Sequence, residues 1–157
     1  MADNFQANPG SGGSTFAADD VGSGLLVPRM KKVVGPDGVY QDGWTPHRKT
    51  SAASTNATNV KSTSGQLGFI LCINVTATIR YLKFYNQSGT PAPATDNANL
   101  VAVIPIPANA AGAGAVIPIP DGLNFSSGIG YAMTANASDT DNTAIAAGDL
   151  FLVLGYV

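Results

Sequence analysis

Leu67-Gly-Phe-Ile-Leu-Cys-Ile-Asn-Val75 is followed, three small or polar residues later, by Ile79-Arg-Tyr-Leu-Lys-Phe-Tyr-Asn86. The first stretch is a near-continuous apolar run of buried-strand length. Residues 77–85 alternate instead. Thr78, Arg80, Lys83 and Asn86 fall against Ile79, Tyr81, Leu82, Phe84 and Tyr85, with one slip near Leu82 that predicts a bulge. Further strand patterns follow at regular spacing over residues 100–106, 115–119, 129–135 and 149–157, with a short, weak one at 59–62. The last of them, Leu150-Phe-Leu-Val-Leu-Gly-Tyr-Val157, is apolar enough to predict an interior position.

Val103-Ile-Pro-Ile-Pro107 recurs as Val116-Ile-Pro-Ile-Pro120, with a linker of small residues between. Two like β-segments so joined predict a hairpin. Their prolines, lacking N–H groups, predict edge or irregular positions. Prolines on edges also guard against edge-to-edge aggregation. No stretch of eleven residues sustains helical apolar spacing, and the best helical candidate, residues 108–115, is broken by Gly112 and Gly114. All ten acidic residues are Asp, a poor helix former, and none is Glu. The chain is therefore predicted to be all-β: a β-sandwich or jelly-roll-like domain over residues 49–157, preceded by an extended N-terminal arm over residues 1–48 with a small hairpin.

Within the arm, residues 1–18 are Gly-, Ser- and Asn-rich, with Phe5 and Phe16 as the only large apolar groups. Alone, such a segment buries too little to offset its ordering entropy. Residues 25–34 follow in strand-like fashion, with Val27, Arg29, Lys31 and Val33 on one face. Pro28 suggests an edge strand, or a strand added to another subunit. Pro36-Asp37-Gly38 is a turn signal, so residues 25–41 read as a hairpin. Residues 43–66 read as a polar linker.

Charged residues are 11% of the chain, well below the usual share of about 25%. All eight Lys and Arg lie at or before Lys83, giving +3 over residues 1–83 and −5 over residues 84–157. The two ends could therefore pair between subunits. A net charge of −2 and a pI near 5.0 argue against nucleic-acid binding. No signal peptide is visible at the N-terminus, and no apolar stretch reaches the ~18 residues of a membrane span. No nucleic-acid or membrane partner is expected.

Cys72 is the single cysteine and reads as a buried thiol; His47 is the single histidine and reads as an exposed linker residue. A Cys/His zinc site cannot be assembled from them. A Ser–His–Asp triad lacks a Gly-x-Ser-x-Gly elbow. The pairs Asp19/Asp20 and Asp139/Asp141 sit among turn residues and read as backbone-capping groups rather than a catalytic dyad. Asp139-Thr-Asp-Asn-Thr143 lightly resembles a calcium loop without its central Gly and terminal Glu. Gly10-Ser-Gly-Gly-Ser-Thr15 lacks the Lys of a phosphate loop. No cofactor, metal or catalytic residue is expected.

Residues 10–43, with Phe16-Ala-Ala-Asp-Asp-Val-Gly-Ser-Gly24 and Gly35-Pro-Asp-Gly38, resemble an N-terminal segment of tailed-bacteriophage virion proteins. The chain departs from that pattern at Gly24-Leu25, where an aromatic more often precedes the Arg. Residues 51–60, Arg80-Tyr-Leu-Lys-Phe-Tyr-Asn86, Ile104-Pro-Ile-Pro107 and Gly122-Leu-Asn-Phe-Ser-Ser-Gly-Ile-Gly-Tyr-Ala132 are similar to a phage-encoded β-domain. The resemblance implies a non-enzymatic structural protein of the virion, assembled in a bacterial cytoplasm. As a capsid decoration (cement) protein it would bind the major capsid protein or another virion subunit, with Phe5, Phe16, Leu25, Val27, Arg29, Lys31 and Val33 as contacts. A homo-oligomer is expected, a trimer being favoured. The alternative is a tail, baseplate or fibre component, a connector or a glycan binder using Trp44, Tyr40 or Tyr131.

Overall fold

The computed structural model describes residues 3–6, 15–20, 26–28, 43–109 and 113–157. It divides into two units, Met1–Lys32 and Val33–Val157. In the first, β1 (Asp3–Gln6), β2 (Thr15–Asp20) and β3 (Leu26–Pro28) form an antiparallel sheet in that order. Phe5 stands opposite Phe16, and Val27 opposite Asp19. Asp19 and Asp20, expected in a turn, instead lie in β2. Pro28 ends an edge strand, where a missing N–H costs little. Leu25, Arg29, Lys31, Val33 and the expected return strand at 39–41 lie outside the described residues.

The second unit contains β4 (Thr45–Thr50), β5 (Thr58–Lys61), β6 (Gly65–Asn74), β7 (Arg80–Asn86), β8 (Leu100–Ile106), β9 (Ala113–Phe125), β10 (Ile129–Thr134) and β11 (Leu150–Tyr156). Two four-stranded antiparallel sheets result, in the orders β5-β10-β7-β8 and β4-β11-β6-β9. Together they are a β-sandwich. Period-two side-chain alternation explains why these sequences can build it. Along β11, Leu150, Leu152 and Leu154 are buried while Phe151 between them is exposed. On β6, Ile70 and Cys72 point inward; on β7 and β10 it is Leu82, Phe84, Ile129, Tyr131 and Met133. Phe84 sits at the centre, with its ring centroid 6.4 Å from Phe125 and 6.5 Å from Tyr131.

Four expectations need correction. Residues 45–48 are not part of the arm, because β4 pairs along its whole length with β11, from Thr45↔Tyr156 to Thr50↔Phe151. As an edge strand with one wet side, Pro46-His-Arg-Lys-Thr50 carries too little apolar pattern to announce itself. The Val-Ile-Pro-Ile-Pro repeat is not a hairpin: β8 pairs with β7 in one sheet and β9 with β6 in the other. Each repeat has prolines on alternate positions, so only one of its edges retains full donor capacity, and that edge faces its sheet neighbour. Both repeats are edge strands, as their prolines predicted. The irregularity in β7 falls between Phe84 and Tyr85 in the pairing with β8, not at Leu82. Finally, Lys83 does not point to solvent; it is fully buried.

Candidate functional site

The outward faces of the two sheets differ. On the β5-β10-β7-β8 sheet the outward residues of β7 include Lys83 and Tyr85, both without solvent exposure. Two loops cover them. Lys83 Nζ donates to the backbone oxygens of Ser138 (2.5 Å) and Asp141 (3.0 Å). Burial pushes its pKa down, against the upward pull of Asp141 and Asp139. Pro91, from the other loop, lies on Gly130, where a Cβ would collide with its ring. Asp96 fastens that loop by accepting from the Ala92 N–H (2.7 Å) and Gln87 Nε2 (3.0 Å), and these bonds hold its pKa below the ordinary value. Burial works against the Asp141 carboxylate. Hydrogen bonds from Asn136 and Thr143 outweigh it and bring the pKa below the usual value. Asp141 thus acts as the expected turn-holding group.

The β4-β11-β6-β9 sheet has no loop over it among the described residues, only the Trp44 ring resting on Gly68 at one end. Its outward face follows from register. One cross-strand row is Thr50, Phe151, Ile73 and Gly114. The next is Arg48, Val153, Leu71 and Val116, and the third is Pro46, Gly155, Phe69 and Pro118. Of these twelve positions only Arg48 is charged. Val116 is 71% exposed and Phe151 42%. Antiparallel sheets facing water usually alternate apolar-in with polar-out. Here both sides of β6 and β11 are apolar. The Phe69 ring occupies the space beside Gly155 where a Cβ would overlap it, so only glycine fits there. A shallow depression lined by Arg48, Thr50, Phe151 and Val153 marks its β4 side.

The edges of the sandwich are blunted. Pro46 lies in β4, Pro105 in β8, Pro118 and Pro120 in β9, and β5 is only four residues long. Such edges resist strand addition.

Several other polar groups pair within the sandwich. His47 is half-buried rather than exposed, and its Nε2 lies 3.1 Å from the Tyr131 hydroxyl. Burial, helped by the Lys49 charge, lowers its pKa. Arg80 pairs with Asp149 (2.8 Å), which also accepts from the Ala146 N–H. Cys72 is buried as expected, its thiol pushed up to about 12 by desolvation. Tyr131 is wholly buried and so is not an exposed glycan-stacking aromatic; Tyr40 lies outside the described residues, and Trp44 rests its ring on Gly68. Among the described residues no three His, Cys, Asp or Glu side chains gather as a metal-binding group.

Sequence reasoning missed the bare face. Its signal is visible in hindsight: residues 69, 71 and 73, and 151 and 153, are as apolar as their inward neighbours. Of the expected arm contacts, only Phe5, Phe16 and Val27 fall within described strands. The sandwich begins with β4 at Thr45, and residues 1–42 carry three cations and five Asp, so the arm is not the positive partner that the charge gradient suggested.

No protein-family model matches the chain, and no curated protein sequence matches it. A solved structure described as "Structure of infectious bursal disease virus Gx strain" aligns with 90% of this chain at 11% identity and a TM-score of 0.18. The chain spans about half the length of that protein, with 47% of it covered. At this level the likeness shows neither a common fold nor a common function.

Proposed function

We propose that this chain is a non-enzymatic structural subunit of a tailed-phage virion, a capsid decoration protein that attaches through residues 1–42 and packs through its sandwich. The observation that carries this reading is the bare apolar face of the β4-β11-β6-β9 sheet on a domain whose edges are blunted. Such a domain is suited to stacking at high local concentration without uncontrolled strand pairing. The similarity of residues 10–43 to a phage virion N-terminal segment supplies the kind of particle. The experiment is binding to purified empty heads by the full chain and by a chain lacking residues 1–42. Loss of binding on truncation is expected; undiminished binding overturns the attachment role of the arm. Copy number in the particle distinguishes the head from the tail. Hundreds of copies fit decoration, whereas a few dozen or fewer favour a tail or baseplate component.

A further inference from the structure

We infer that the outward face of the β4-β11-β6-β9 sheet is the contact between copies of this chain, sandwich against sandwich. This rests on the structural-subunit reading and names the partner of that face. The chemistry begins with Phe69, Leu71, Ile73, Val116, Phe151 and Val153, which project from three adjacent strands on one side. The face is made like the inner face of a sandwich, and its natural complement is another apolar sheet face about 10 Å away. A second copy supplies one.

Size supports this. Four strands about 4.8 Å apart, each contributing about 17 Å of length, present roughly 300–400 Å² in projection. That matches the largest apolar patch of a typical monomer, a patch that is often functional. It also forms the dry centre of an interface whose standard size is about 800 Å² per partner. Interfaces between identical subunits are the more apolar kind, with charge depleted at the centre. Here the single charge, Arg48, stands on edge strand β4, where its guanidinium stays wet at the rim.

Charge is compatible with that occupant. Residues 43–157 carry five Lys and Arg (48, 49, 61, 80, 83) and five Asp (96, 121, 139, 141, 149). Two copies of a neutral sandwich meet without long-range repulsion, and |net charge| near zero favours association. A strongly acidic or basic partner finds no opposing pattern on this face. Other routes to self-association are poor. The edges are proline-blunted, and the other sheet wears its own loops over Lys83 and Tyr85.

The test is sedimentation velocity and light scattering on the full chain from about 1 to 100 μM, with Val116→Asp, Phe151→Ser and, as control, Val101→Asp on the opposite sheet. Val116 and Val101 are exposed enough for the fold to survive; far-UV circular dichroism and the melting transition check each variant. The wild type is expected at a multiple of 15.9 kDa. Val116→Asp should weaken association about tenfold or more, because it puts an unpaired charge into an apolar contact, and Val101→Asp should leave it intact. A monomeric wild type throughout the range overturns the inference, as does an oligomer indifferent to both Val116→Asp and Phe151→Ser. A monomer whose head binding is lost in Val116→Asp also overturns it, by assigning the face to a capsid subunit. The proposed function fails separately: a chain that self-associates through this face yet binds no particle sinks the virion reading alone.

Discussion

Lys83 is a lysine without access to water, held by two backbone carbonyls of the loop that covers it. Replacing it by Met keeps the stem but leaves both carbonyls without their donor. Lys83→Met should therefore lose about 1–3 kcal/mol, the cost of an unsatisfied buried group, measured by urea unfolding. Tyr85, two residues on, has the opposite problem: its buried hydroxyl has no hydrogen-bond partner among the described residues. Removing that group relieves desolvation, so Tyr85→Phe should be neutral or stabilise by up to about 1 kcal/mol, read from the same denaturation curves. Both residues also shape the alkaline response. Cys72 is raised from 9.0 to about 12 and Tyr85 from 10.0 to about 12, each mainly by burial. The folded chain then binds more protons than the unfolded one, so stability present below pH 9 falls as pH rises towards 12. Lys83 is shifted the other way. Its unfolded form binds the extra proton just below 10.5, so it adds stability with rising pH there. Tm measured from pH 8 to 11 should fall, with a later onset in Cys72→Ala and a steeper fall in Lys83→Met.

At the scale of elements, the prolines of β8 and β9 do two things. They limit β8 and β9 to one neighbour each, and both strands stand at the edges of their sheets. They also leave the outer edges of both strands short of donors. Pro118 stands opposite Phe69 within the β6-β9 ladder, so the N–H it lacks belongs to the open edge. Restoring that row in Pro118→Val/Pro120→Val completes an exposed, apolar edge. The expected outcome is aggregation that binds thioflavin T, absent in the wild type at equal concentration. β11 shows the complementary case. It is central in its sheet and buried on one side, as its sequence announced, yet on its other side Phe151 is exposed and Val153 only partly buried.

Over the whole molecule, β4 near the start of the sandwich pairs with β11 at the end of the chain, so the sheet closes only when distant segments meet. Such topology folds in milliseconds to seconds. It also ties the first and last strands of the sandwich into one sheet. A chain of residues 43–157 should melt in one cooperative transition, within a few degrees of the full chain, by differential scanning calorimetry. Two separate transitions within that fragment would contradict a single core shared by both sheets.

Period-two patterning and regular spacing determined the all-β class, the positions of β6 to β11 and the edge placement of the proline repeats, because alternation, length and missing donors act locally. Composition located the buried thiol in the same way, since Cys72 lies within an apolar run. The partner of each strand was not legible: Val103-Ile-Pro-Ile-Pro107 and its repeat carry no mark of which sheet will accept them. Nor was β4, whose pairing with β11 depends on a strand a hundred residues away. Lys83 reads as a surface cation until the loop at 135–143 folds over it and supplies two carbonyls. Only the tertiary structure decided which apolar residues are covered. Leu152 and Phe151 are neighbours of equal hydrophobicity, and one faces the opposing sheet while the other faces out, because burial is a property of what packs against a face and not of the residues on it.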